Sequence, residues 1–179
     1  MQMGLRIIGG GEGVRRMSLE SVQKFFAEKA PDIAVIELPN STATVAQAAE
    51  GHGVLPEQIA KTLSLRVGDR CLLLVARGDA RLDNRKAKAV FGGKPRMLSA
   101  EEVLSVTGHP VGGVCPFGLL TPVAVYCDES LLAYDEVVPA AGSTQSAVRI
   151  APRRMAELVG AEWVDVCALP AGMEERAAG

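Results

Sequence analysis

Residues 59–77 read IAKTLSLRVGDRCLLLVAR. Two apolar runs, about 60–67 and 71–77, flank Gly68-Asp69. A two-residue pair of this kind closes a β-hairpin, so the runs predict two antiparallel strands. Upstream, Ser18 predicts the cap of a helix to about residue 30, with Leu19, Val22, Phe25 and Phe26 on one face and Pro31 at its end. Residues 33–38 form a short apolar strand. Thr44-Val-Ala-Gln47 is a capping-box pattern for a helix closed by Gly51 and Gly53, and Pro56 can start another short helix. Downstream, a helix over 82–91 stops at Gly92-Gly93. Ser99-Ala-Glu-Glu102 is a second capping box, for a helix ending near Thr107. Strands are expected at 123–127, 136–139, 147–150 and 163–166, with a helix over 152–159. Helices and strands intermingle without strict βαβ alternation, and a hairpin sits in the middle. The expected fold is one α/β domain on a mixed, strongly curved sheet with helices outside.

The chain has 179 residues, which suits one domain with ragged ends. Residues 1–16 are expected to be a flexible extension, residues 17–170 the domain, and residues 171–179 a frayed tail. Near the N-terminus, Gly9 and Gly11 resemble the start of a dinucleotide loop, but Val14 stands where the third glycine would fall. Hydrophobic residues make up 48% and charged residues 22%, an ordinary globular composition that excludes whole-chain disorder. Cys71, Cys115, Cys127 and Cys167 form no C-x-x-C pair, and His52 and His109 are the only histidines. A zinc site is not expected, and neither is any other metal or cofactor. No apolar stretch is long enough to span a membrane. A reducing, cytoplasmic setting is the expectation.

The net charge of −2 gives no global field for nucleic acid. Between Arg77 and Arg96, however, seven basic residues stand against Asp79 and Asp83. This is either a solvated helix face or a basic face for an RNA backbone.

Three features carry candidate chemistry. The loop GHPVGGVCPFG at 108–118 holds glycines whose backbone N–H groups can converge on an oxygen. Equally, it can be a tight helix-to-strand connection. Lys61, at the entry of an apolar strand, is either an outward-facing edge lysine or a cation aimed into a pocket. Cys115 with His109 as base invites a thiol-nucleophile reading, against a small residue lining the loop. Asn40, Ser41, Thr42 and Thr44 cluster after the first strand, where they cap and turn the chain or line a polar pocket.

Taken in order, these passages resemble the YbaK-like family, the prolyl-tRNA synthetase-associated editing domains. The helix start at Thr44 follows a strand end. Ile59-Ala-Lys-Thr-Leu63 resembles the family's lysine strand. The basic helix precedes Met97-Leu-Ser-Ala-Glu-Glu-Val103. Gly112-Gly-Val-Cys-Pro116 resembles its G-x-x-x-P loop, and Ala141-Gly142 its small-residue loop. The resemblance covers roughly residues 33–170. It implies a barrel-like mixed sheet and hydrolysis of the ester joining a wrong amino acid to tRNA, in trans and without a cofactor, on substrates such as Cys- or Ala-tRNA(Pro). It implies that Lys61 is the essential lysine. Thr44, Gly112, Gly113, Val114, Cys115, Pro116, Gly142 and Ser143 would bind substrate. Arg81, Arg85, Lys86 and Lys88 gain weight as tRNA contacts. The implied partners are misacylated tRNA and prolyl-tRNA synthetase or elongation factor, with no DNA and no membrane. One departure is Ala140, where several family members carry serine. That departure feeds an alternative, a non-catalytic tRNA- or synthetase-associated binding module.

Overall fold

A computed structural model describes residues 10–171. At its centre is the hairpin, β2 (Ile59–Val67) and β3 (Arg70–Arg77), paired antiparallel from Ala60↔Arg77 to Val67↔Arg70. Gly68 has φ 59°, the sign that the first central position of a type II′ turn demands. Alternation sends successive side chains to opposite faces, and both faces of this hairpin are buried. Ala60, Leu73 and Val75 face one core, with Val22, Phe26 and Phe117. Leu65, Val67, Leu72, Leu74 and Ala76 face a second, with Ala87, Phe91 and Val166. Phe26 and Phe117 pack with ring centroids 4.6 Å apart. Burying each contributes on the order of 2–3 kcal/mol.

The sheet grows from both sides of the hairpin. Parallel to β3 runs β6 (Ala124–Asp128), and parallel to β6 runs β9 (Glu162–Val164). On the far side of β2 lie two fragments. β5 (Arg96–Met97) is antiparallel to its C-terminal end, and β7 (Val138–Pro139) is parallel to its N-terminal end. Two further pairs stand apart, β1 (Ile36–Glu37) with β8 (Ser146–Ala147) and β4 (Arg81–Leu82) with β10 (Cys167–Ala168).

The mixed α/β single domain agrees with the sequence expectation, but the barrel-like closure does not. The main path runs β5-β2-β3-β6-β9 with no pairing between its ends. Those ends are strands of two and three residues, too short to supply the closing ladder a barrel needs.

Among the described residues, five α-helices pack around the sheet: α1 (Gly10–Lys29), α2 (Val45–His52), α3 (Asn84–Phe91), α4 (Ala100–Thr107) and α5 (Pro152–Val159). Thr44 caps α2 by accepting from Gln47 N, and Ser99 and Glu102 form a reciprocal capping box on α4. Asp83 caps α3 by accepting from the N–H groups of Arg85 and Lys86. Part of the expected N-terminal extension is helical, because α1 begins at Gly10 rather than at Ser18. An Arg16–Glu20 pair at 3.0 Å bridges one turn across that junction. The dinucleotide-like glycines begin at Gly9, outside the described residues, and all but the first residue of the expected 171–179 tail lies outside them too. No described helix is long and apolar enough to cross a membrane.

Candidate active site

A cavity of about 250 Å³ opens along the outer edge of β2. β2 contributes Ile59, Ala60, Lys61, Thr62 and Ser64 to its lining. Thr44, Val45 and Ala48 of the α2 start form one wall, and Gly112 and Val114 of the glycine loop another. Met97 and Leu98 bound one end, Val138 and Ala140 the other. The lining is largely aliphatic and contains no carboxylate.

Lys61 is half-buried. Its Nζ donates to the carbonyl of Gly78 at 3.1 Å and to that of Ala80. Two of its three donors are thus held by the turn after β3, and one remains. Burial pushes its pKa below that of a free lysine, with the nearby Asp79 charge opposing. The turn is itself clamped. Arg77 is 4% exposed and grips Asp79 with two bonds of 2.6 and 2.7 Å.

The glycine loop closes against the small-residue loop. Gly113 O accepts from Gly142 N at 3.1 Å. A Cβ on Gly113 would meet the Ser143 backbone at 2.7 Å, so this glycine exists for close approach of two chains. Gly113, Cys115, Pro116, Gly142 and Ser143 do not line the cavity. They build the loops behind its wall. Ser146 lines it, and its hydroxyl donates to Ala141 O at 3.0 Å and lies 2.7 Å from Ser143 Oγ. The loop before α2 is joined to the same place through Thr42 N and Thr144 O, 2.6 Å apart.

Cys115 and His109 do come together, with Sγ 3.5 Å from Nε2, but inside the core. Both residues are 0% exposed, and burial pushes the thiol up to about 12. A thiol so placed has neither the ionisation nor the access a nucleophile needs. His109 is a structural strut. Burial lowers its pKa, Nε2 donates to Phe117 O at 2.7 Å, and Nδ1 lies 2.5 Å from Ser18 Oγ. Ser18 Oγ lies 2.6 Å from Gly142 O as well, and its one hydrogen serves either this carbonyl or the imidazole. One chain of contacts therefore ties α1 to both loops.

The basic residues lie away from the cavity wall. Arg81 is exposed on β4, and Arg85, Lys86 and Lys88 are exposed on α3. Lys86 pairs with Asp165 at 2.9 Å, which raises its pKa. Among the described residues, Arg81, Arg85 and Lys88 make no ion pair. No described group of three His, Cys, Asp or Glu residues could hold a metal ion.

Sequence reasoning missed Thr62, Ser64 and Ser146. A signal for the first two was present. With Arg66 they put three polar residues at alternate positions of β2, which marks one face of the strand as different.

The family model for the aminoacyl-tRNA editing domain matches residues 39–158. The uncharacterized protein YwhH of Bacillus subtilis (strain 168) is 48% identical over 153 residues, covering 84% of this chain and 98% of YwhH. The proline--tRNA ligase of Kosmotoga olearia is 34% identical over 102 residues, 56% of this chain and 17% of the ligase, so the match spans under a fifth of that enzyme. A crystal structure described as "a putative trans-editing enzyme for prolyl tRNA synthetase" superposes with a TM-score of 0.79 at 36% identity, covering 84% of this chain and 97% of that one. With a matched domain that takes in the cavity and both loops, the chain belongs to the aminoacyl-tRNA editing domain family, in its YbaK-like group.

Proposed function

We propose that the chain is a trans-acting deacylase that hydrolyses the ester bond of misacylated tRNA, with Cys- or Ala-tRNA(Pro) as the first substrates to consider. One observation carries this reading: a small aliphatic cavity, about 250 Å³, with Lys61 on one wall and a glycine loop on another. Such a chamber suits a small amino acid side chain. A synthetase discriminates poorly against a missing methylene, which is worth only ~1–3 kcal/mol, so a second small pocket that destroys what enters it improves fidelity.

In this reading the free donor of Lys61 anchors the terminal adenosine or its phosphate. Backbone N–H groups of Gly112 and Val114 stabilise the oxyanion as water attacks the ester carbonyl, an effect worth ~10²–10³ in rate per well-placed donor. Thr44 forms part of the wall, while Gly113, Cys115, Pro116, Gly142 and Ser143 hold the two loops together. Arg81, Arg85, Lys86 and Lys88 guide the tRNA backbone, and prolyl-tRNA synthetase is the partner that the related ligases suggest.

The test is hydrolysis of a panel of mischarged tRNAs, Ala-tRNA(Pro) and Cys-tRNA(Pro) first, by wild type and Lys61→Ala. Rapid release that Lys61→Ala loses is the expected result. Full activity in the variant overturns the role of Lys61. No release from any of the panel replaces the deacylase reading with that of a binding module.

A further inference from the structure

Among the described residues, β2 is paired along its outer edge only at its two ends. β7 reaches Ile59 and Ala60, and pairing resumes where Leu98 N donates to Ser64 O at 3.0 Å and β5 meets Leu65 and Arg66. Along a strand, the N–H and C=O of alternate residues point to the same side. Ser64 O points outward to Leu98, so Thr62 N–H and C=O point outward as well. Neither β7 nor β5 extends to Thr62, and the place between them is the cavity, bounded there by Val138 and Ala140 on one side and Met97 and Leu98 on the other. The floor of the cavity is therefore a stretch of strand edge one residue pair long.

A second, independent observation falls on the same residue. The Thr62 hydroxyl oxygen is buried and, among the described residues, has no hydrogen-bond partner. Buried polar atoms are normally paired, and an orphan beside a cavity points to a ligand that completes it. Beside its own N–H and O–H donors, Thr62 thus offers two neutral acceptors, its carbonyl and its hydroxyl oxygen, in a chamber with no carboxylate. Their complement is an N–H donor carried by a compact group.

We propose that Thr62 forms a subsite for the free α-amino group of the aminoacyl ester, and that the chain acts on tRNA bearing an unblocked amino acid while sparing tRNA whose amino acid is N-acylated. This rests on the deacylase reading above. The α-amino group donates to Thr62 O and Oγ1, as one residue of an added strand would donate to an exposed edge. An N-acyl group removes hydrogens from that nitrogen and adds bulk where β5 and β7 close the gap. Elongating peptidyl-tRNA and N-blocked initiator tRNA fall in the spared class by the same chemistry.

The experiment takes the aminoacyl-tRNA that the wild-type protein hydrolyses fastest and compares it with its N-acetyl derivative, for wild type, Thr62→Val and Thr62→Ser. The N-acetyl substrate should be cleaved at least about 100-fold more slowly by wild type, since a site built for hydrogen bonding rejects a ligand that cannot satisfy it. Thr62→Val should lower kcat/KM for the free-amine substrate about ten-fold and shrink the ratio between the substrates by the same factor, with Thr62→Ser restoring both. Its thermal unfolding should match or exceed wild type, because it replaces an unpaired buried hydroxyl with a methyl group. Equal cleavage of the two substrates, or a ratio unmoved by Thr62→Val, overturns the subsite and leaves the deacylase reading standing. Failure to cleave any aminoacyl-tRNA defeats that reading and the subsite with it.

Discussion

Replacing Gly78 by alanine would set a methyl carbon 2.1 Å from the Pro56 carbonyl oxygen, 2.9 Å from Val45 Cγ1 and 3.2 Å from Ile59 Cβ. The valine can rotate away. The Pro56 oxygen is backbone and cannot. A relaxed carbon–oxygen contact lies at about 3.3–3.6 Å, so one of the two chains must move by more than about 1 Å. Overpacking of this kind costs about 3 kcal/mol, which for a chain of this length lowers Tm by roughly 6–12 °C. The same displacement acts on function, since Gly78 O is one of the two carbonyls that hold Lys61. A shift of ~1 Å at a positioned group costs up to ~10² in rate. Gly13→Ala is the matched control, because an added Cβ there meets nothing within 4 Å and the residue lies inside α1. It should gain about 0.5–1 kcal/mol and leave the rate alone. Differential scanning calorimetry and single-turnover deacylation read both effects. A Gly78→Ala protein with wild-type Tm and wild-type rate would refute the packing of this turn. Lost stability with an intact rate would refute its role in placing Lys61.

Two further outcomes follow from charge. The Arg77 guanidinium beside Asp79 holds that carboxyl below its ordinary pKa, so the pair's contribution to stability is complete above the unfolded value near ~3.9 and is lost as pH falls through the lower folded value. Asp79→Asn should cost about 2–4 kcal/mol at pH 7 by stranding a guanidinium that is 4% exposed, and its urea midpoint should fall less steeply than wild type's below pH 4. If α3 contacts the tRNA backbone, Arg85→Ala and Lys88→Ala should each reduce the slope of log kcat/KM against log salt by about 1, and unchanged slopes would remove α3 from the interface.

The hairpin was legible because its cues are local and mutually consistent: two apolar runs and a Gly-Asp turn, observed as β2 and β3 within one residue of the expected bounds. Helix starts at Thr44 and Ser99 were legible for the same reason, since a cap is written within four residues. The two-residue strands β4, β5 and β10 were not. Two residues carry no period, and β4 pairs with β10 across more than 80 positions of sequence. The expected strand over 33–38 shrinks to Ile36–Glu37, because its one antiparallel partner, β8, is itself two residues long. At the cavity, Lys61, Thr44, Gly112 and Val114 were named from motifs and do line it. Thr62 escaped because its importance comes from where β5 and β7 stop, which no local pattern in β2 records. Cys115 drew a nucleophile reading from its glycine–proline setting, against that of a small residue lining the loop, and it is core, in one cluster with Phe117 and with Val22 and Phe26 of α1.

Helix α1 lies upstream of the matched stretch 39–158, yet Val22 and Phe26 are core residues and Ser18 Oγ lies against the Gly142 carbonyl. A Cβ on Gly142 would sit 2.7 Å from Ser18 O, and one on Gly118 would sit 2.6 Å from Ser21 O. These two loop positions are moulded to the helix, and a side chain at either would not seat against its backbone. For anyone cutting or recombining such chains, residue 39 is the wrong place for a boundary. A fragment starting there would present a bare aromatic face at Phe117, and loops grafted from a relative with a different leading helix would arrive without the surface that shaped them.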